Sequence, residues 1–166
     1  MGEIVSKETK KRKCIIAIRI RGTIRAPRQV RETLQMLHLT RNNYAVLIDN
    51  RPSFLGMLKT AQNFVTWGEA SKESVNMLIK ERGRLAGNKK LTDENAQKIG
   101  YKSLEDLAEA IFDCHVEYRK LPNIRPVFRL HPPTKGFKGK IKKGYGMGGE
   151  LGYREEKINE LIRRMI

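Results

Sequence analysis

Two long stretches of this chain carry cations and no carboxylate. Between Thr9 and Arg31 the only charged side chains are Lys10, Lys11, Arg12, Lys13, Arg19, Arg21, Arg25, Arg28 and Arg31. Between Tyr118 and Gly149 they are Arg119, Lys120, Arg125, Arg129, Lys135, Lys138, Lys140, Lys142 and Lys143. The chemistry open to such residues is phosphate recognition. A guanidinium fork donates two parallel hydrogen bonds to one phosphate, and an ammonium meets it as a mobile point charge. These stretches hold eighteen of the 34 lysines and arginines, in a chain of formal net charge +16. A polyanion lying against both is the simplest reason to leave them uncompensated, because solubility alone does not empty long segments of acids.

The sharpest segment is HPPTKGFKGKIKKGYGMGG, where six glycines between Gly136 and Gly149 alternate with Lys135, Lys138, Lys140, Lys142 and Lys143. Glycine removes side-chain bulk, so backbone amides can come close to phosphates. Phe137 and Tyr145 offer planar faces that either stack on an exposed base or anchor the loop to its own domain. Gly144, Gly146 and Gly149 satisfy GxGxxG formally, but lysines stand where the apolar strand of a dinucleotide site belongs. No GxxxxGK[ST] motif is present.

Catalytic groups do not converge. His38, His115 and His131 share no metal-ligand spacing, and Cys14 and Cys114 form no CxxC pair. Two cysteines imply neither a zinc site nor a disulfide framework, so a reducing compartment is expected. Glu105, Asp106 and Glu109 read as a solvated helix face rather than paired catalytic carboxylates. No enzyme, cofactor or small-molecule substrate is expected. The N-terminus lacks the apolar region of an export signal, and no apolar run is long enough to span a membrane, so a soluble protein without a membrane partner is expected.

The elements that must position the cations follow from periodicity. CIIAIRIR, from Cys14, alternates as a half-buried strand with Arg19 and Arg21 on its less apolar face. Pro27 opens a helix carrying Val30, Leu34 and Leu37, with Arg28 and Arg31 turned away. Arg41, Asn42 and Asn43 make a polar turn before the strand YAVLID; Pro52 opens a second helix, and FVTWG is a third strand. The order is β-α-β-α-β, with helices on one face of a small sheet. Ser71, Thr92 and Ser103 can each cap a further helix, Val127 to Leu130 can add a short strand, and a last helix carries Ile158, Leu161, Ile162 and Met165. Between Asp93 and Glu117 the charge bias reverses to acidic, giving a face for solvent or for a basic protein.

The same residues carry a family resemblance. RIRGTIRAPRQVRETLQMLHLTRNNYAVLIDNRPSFLGMLKT resembles the core of the large-subunit ribosomal protein family L-thirty, L-seven in eukaryotes. The matching features are Arg21-Gly22 after the first strand, the helix ending in Leu37 and Leu39, the turn Arg41-Asn42-Asn43, and Pro52 with Gly56-Met57. FVTWGEAS and the glycine-rich segment resemble the long archaeal and eukaryotic form, and the short lysine-rich extension implies an archaeal source. The resemblance implies an α+β fold: a ferredoxin-like β-α-β-α-β core with a small antiparallel sheet over 14–70, behind a basic extension 1–13. A mainly helical C-terminal extension, 71–166, would contain the basic loop 132–149.

The resemblance further implies a structural constituent of the large ribosomal subunit in the cytoplasm, binding ribosomal RNA, with 5S RNA a candidate contact and neighbouring ribosomal proteins as partners. Carried over by position, Arg21, Arg25, Arg28, Arg41 and Asn42 are the core contacts. The charge argument adds Lys10, Lys11, Arg12, Lys13, Arg19, Arg31, Lys135, Lys138, Lys140, Lys142 and Lys143. Recognition is expected to go through backbone and RNA shape, with a free loop that orders on binding. A structured-RNA binder or chaperone outside the ribosome, an RNA-directed enzyme and a sequence-specific DNA-binding protein are the readings to separate from it.

Overall fold

A computed structural model describes residues 11–166. The first unit runs β1 (Cys14–Arg19), α1 (Arg28–Met36), β2 (Tyr44–Asp49), α2 (Pro52–Thr60) and β3 (Val65–Glu69), in the expected order. The chain continues through α3 (Lys72–Met77), which widens into a π-type turn over Leu78–Arg82, then α4 (Asp93–Ile99) and α5 (Leu104–Phe112). It closes with β4 (Phe128–Arg129), β5 (Lys140–Gly144), β6 (Gly149–Tyr153) and α6 (Ile158–Met165). Ser71 and Ser103 cap as their residue type predicts, each side-chain oxygen accepting from the amide three residues on. Thr92 precedes α4 without a capping bond from its side chain to the helix backbone, and the helix ends at Gly100 in the left-handed conformation.

The six strands form one mixed sheet in the order β4-β2-β1-β3-β6-β5. β1 is antiparallel to β2 and β3, β4 is antiparallel to β2, and β6 runs parallel to both β3 and β5. The antiparallel core strands are therefore widened on both flanks by strands that the extension supplies.

β1 departs from the half-buried expectation: all six of its residues are buried. Ile15 and Ala17 pack with Val30, Leu34, Phe54 and Leu58 of α1 and α2. Ile16 and Ile18 pack with Val75, Leu78, Leu107, Ile111, Ile162 and Met165 from the extension. Helices thus cover both faces, not one. The strand's second face is apolar because the extension lies on it, and each such buried aliphatic contributes roughly 1.5–3 kcal/mol by leaving water.

Candidate nucleic-acid interface

Strand polarity decides where the cations go. β1 and β4 end where β2, β3, β5 and β6 begin, because Tyr44 lies opposite Arg129, Val65 opposite Arg19, and Lys140 beside Gly149. That end of the sheet receives Arg21 and Gly22 after β1, Arg41, Asn42 and Asn43 before β2, Arg129 at the close of β4, and the lysines that lead into β5. Backbone bonds tie these turns together. Asn43 N–H donates to Arg19 O at 2.7 Å, Leu130 N–H to Asn43 O at 3.1 Å, and the amides of Ile20 and Arg21 to Phe64 O at 3.0 and 3.2 Å.

Each side chain of this end has a distinct environment. The Arg21 guanidinium lies 5.3 Å from the Phe64 ring centroid, a cation–π contact that holds it in place. Arg25 is exposed in a turn closed by Ala26 N–H on Thr23 O at 3.0 Å, and its φ is 63°. That turn presents Ile24 at 90% exposure. Arg41 and Asn42 are exposed. Arg28 and Arg31 stand exposed on α1, Arg28 paired with Glu32 one turn on at 2.7 Å. Lys135, Lys138, Lys140, Lys142 and Lys143 are all exposed, and Lys138 pairs with Glu160 at 2.5 Å. The Lys138 ammonium lowers the Glu160 carboxyl below its ordinary range, chiefly by that hydrogen bond. Arg21, Arg25, Arg31, Arg41, Arg129, Lys135, Lys140, Lys142 and Lys143 make no ion pair among the described residues.

Arg19 must be removed from the candidate contacts. It is 6% exposed and donates to Arg21 O, Leu39 O and Thr23 Oγ1 at 3.0, 3.1 and 3.0 Å. Its guanidinium closes the loop after β1 from within, and burial lowers its pKa. The N-terminal cations also lie elsewhere. Lys10 falls outside the described residues. Lys11, Arg12 and Lys13 enter β1 at the opposite end of the sheet, where Lys13 donates to Asn50 Oδ1 through its amide and to Glu69 through its ammonium, both at 3.2 Å.

The glycine-lysine loop is not the unstructured segment expected. Lys140–Gly144 forms an edge strand on β6, and the buried Glu150 carboxylate accepts from Gly139 N–H at 2.7 Å. That carboxylate is held in turn by Arg154 at 2.6 Å, whose Nε donates to Thr66 Oγ1 at 2.8 Å. Gly149 is required by packing, since a Cβ there would sit 2.0 Å from Lys143 O; its small size serves the loop and not an approaching ligand. Tyr145 lies under Arg154, 4.8 Å from centroid to guanidinium, and Phe137 packs on the core, so both aromatics anchor the loop.

The acidic stretch meets the chain's own cations. Glu105 pairs with Lys80 at 2.5 Å, Glu109 with Lys72, and Glu117 with Arg51 and, at 3.3 Å, with Lys120. Arg51 also meets Asp49 at 2.8 Å. Burial pushes the Glu117 carboxyl up, but hydrogen bonds from Arg51 and Lys120 outweigh it and hold the group below its ordinary range. Arg51 is raised by its hydrogen bonds to Asp49 and Glu117. Burial, with charge from Cys114 and Asp49, drives the Cys14 thiol far above its usual value, the reverse of what a nucleophile needs.

Sequence reasoning named Arg129 only as part of a charged stretch and gave Arg82 and Arg84 no role. In the structure these three, with Asn88, line a notch of about 180 Å³ beside β4. Only Arg129 carried a signal, its stretch being free of acids, since Glu81 adjoins Arg82; the further obstacle was the forty-odd residues that separate 84 from 129.

Residues 15–65 match a family model described as ribosomal protein L30p/L7e. Over 149 residues the chain is 45% identical to the large ribosomal subunit protein uL30 of Methanopyrus kandleri, covering 89% of this chain and 100% of that protein. It is 45% identical to the protein of the same name from Thermofilum pendens over 91% of this chain and 97% of that one. The corresponding protein of Archaeoglobus fulgidus is 44% identical over 89% of this chain and 97% of its own length. The family model covers the core from β1 to the first residue of β3, and the relatives align through the extension as well.

Proposed function

The chain belongs to the L30p/L7e family of large-subunit ribosomal proteins in its long archaeal form, a structural and non-catalytic class, and on that premise we propose that its cationic sheet end binds ribosomal RNA. The observation that carries this reading is the segregation of cations by partner. Turns at the close of β1 and the start of β2 place Arg21, Arg25 and Arg41 at one end of the sheet with no ion-pair partner among the described residues. Lys72, Lys80 and Arg51, by contrast, are neutralised within the chain. An unneutralised guanidinium held by backbone bonds and an aromatic ring is preorganised for phosphate. The scaffold positions the arginines, and the lysines of β5 extend the contact along the strand. RNA is read by backbone and shape, since the A-form groove hides base edges and few groups here reach them.

The test is filter binding of the purified chain to large-subunit and 5S transcripts over a range of KCl concentrations. Arg21→Gln with Arg41→Gln should weaken binding and reduce the salt slope by about 0.7 to 0.9 for each phosphate that is no longer neutralised. Affinity and slope equal to those of the unaltered chain would refute the reading, and comparing the two transcripts decides which RNA is contacted.

A further inference from the structure

The notch beside β4 lies apart from the turns that hold Arg21 and Arg41. It is built from three segments that are far apart in sequence. The helix after α3 widens and leaves through Gly83, where a Cβ would lie 2.4 Å from Ile79 O, so no side chain fits and the backbone turns away closely packed. Residues 84–90 then form a hairpin, with Arg84 opposite Lys90, Leu85 N–H on Lys89 O at 2.8 Å and Asn88 N–H on Leu85 O at 2.9 Å. The hairpin is fastened to the chain before β4 by Ala86 N–H on Asn123 O at 2.8 Å and Arg125 N–H on Arg84 O at 2.9 Å. These bonds bring Arg82, Arg84 and Asn88 to Arg129.

The lining holds no carboxylate. Glu81, the acid next in sequence, is turned to Lys90 at 4.0 Å. Arg84 donates to Glu81 O and Gly83 O at 3.2 and 3.0 Å through one terminal nitrogen, leaving its other terminal N–H group for a ligand. Three arginines and an asparagine therefore line one small space in a frame fastened by backbone hydrogen bonds. A single phosphodiester brings one negative charge, which leaves two of the three guanidinium charges unmatched. Two phosphates brought together by a sharp bend of an RNA backbone match them better, and forked donors suit both. Arg129 lies opposite Tyr44, the residue that follows the Arg41–Asn43 turn, so an RNA strand lying on that turn can continue toward the notch.

We infer that the Arg82, Arg84, Asn88 and Arg129 notch is a distinct phosphate-binding site that takes two crowded backbone phosphates at a bend of the same RNA. This rests on the RNA-binding reading above, and its variants avoid Arg21 and Arg41 so that the two fail separately. Arg84 is left intact because it holds the turn.

The experiment is filter binding and phosphate-ethylation interference on a large-subunit transcript with Asn88→Asp and with Arg82→Gln/Arg129→Gln. Asn88 has φ 66°, a conformation aspartate also tolerates, so Asn88→Asp keeps the turn and puts a negative charge in the notch. Its affinity should fall about tenfold, and the double variant should lose roughly 1.4 to 1.8 from the salt slope. Both should melt with the unaltered chain, and interference at two neighbouring phosphates should vanish in the double variant alone. Unchanged affinity in both variants, while Arg21→Gln with Arg41→Gln still loses binding, overturns the notch and spares the broader reading. An unaltered chain indifferent to RNA overturns both. Inorganic phosphate displacing the transcript only from the unaltered chain, with no paired interference, makes the notch a small-anion site and also overturns the proposal.

Discussion

The two ends of the central sheet carry the same residue types and do opposite things with them. At the end where β2 starts, Arg41 and Arg129 stand without carboxylate partners among the described residues, and Arg21 is steadied by a ring, not by an acid. At the end where β2 finishes, Arg51 is held by Asp49 and Glu117, and Lys13 by Asn50 and Glu69. A count of charges cannot separate them. What separates them is whether the fold supplies the counter-charge: where it does, the cation belongs to the architecture, and where it does not, the cation is left for another molecule.

Arg19 and Arg21 give the most severe way to break that comparison, because two residues apart they fall on opposite sides of it. Arg19→Met strips hydrogen-bond donors from Leu39 O, Arg21 O and Thr23 Oγ1 inside the fold. The loss should be about 2–4 kcal/mol, given that hydrogen bonds to charged groups contribute roughly 1.5–3 each and leave buried partners unmet. Arg21→Gln should cost under about 1 kcal/mol, the scale of an exposed cation–π contact. Urea denaturation of the two variants measures this. If Arg21→Gln proves the more damaging, the division into architectural and available cations is wrong.

Much of this was legible from the sequence, and the exceptions share one cause. The β1-to-β3 order followed from local periodicity, and Ser71 and Ser103 from capping chemistry. Ile15 and Ala17 do carry a signal of full burial: a run apolar on both faces is what a strand covered from both sides looks like. The covering helices come from far along the chain, so local alternation said half-buried. Arg19 sits within that apolar run and Arg21 follows it, a difference that matters more than their shared charge. The β5–β6 ribbon left no trace, since Lys140, Lys142 and Lys143 have no apolar alternation and the partner strand pairs through Gly149. The acidic stretch found Lys72 and Lys80 on another element, which no local window shows.

The ribbon gives the next effect in size. Lys140→Gln, Lys142→Gln and Lys143→Gln together remove three cations that make no ion pair among the described residues. Their backbone pairing stays. The salt slope of RNA binding should fall by about 2 to 3 while the melting temperature holds, read by filter binding and by calorimetry. Lys138 belongs to the other class through Glu160, so Lys138→Gln should add less than any of the three. A fall in melting temperature equal to that of Arg19→Met would mean that the lysines brace the fold, and the comparison would lose its second half.

The smallest effect comes from pH, and it sharpens the contrast because the carboxylates that hold Arg51 lie at the end of the sheet away from Arg21 and Arg41. Glu117 lies below its ordinary range in the folded chain through Arg51 and Lys120, so its contribution is complete above the unfolded carboxylate value and is lost as pH falls through the folded one. With unfolded glutamate near 4.3, that places the loss below roughly pH 4. Glu117→Gln should therefore remove about 1 kcal/mol or less of stability near neutral pH, the range for a partly exposed ion pair, and none at the acid end, where the unaltered chain has already lost it. Arginines at the cationic end keep their charge throughout, so RNA affinity measured between about pH 5 and 8 should be the same in Glu117→Gln as in the unaltered chain. Denaturation at several pH values and binding over the same series check both statements. A shift in RNA affinity that tracks the Glu117 titration would join the two ends energetically, and the separation between them would have to be given up.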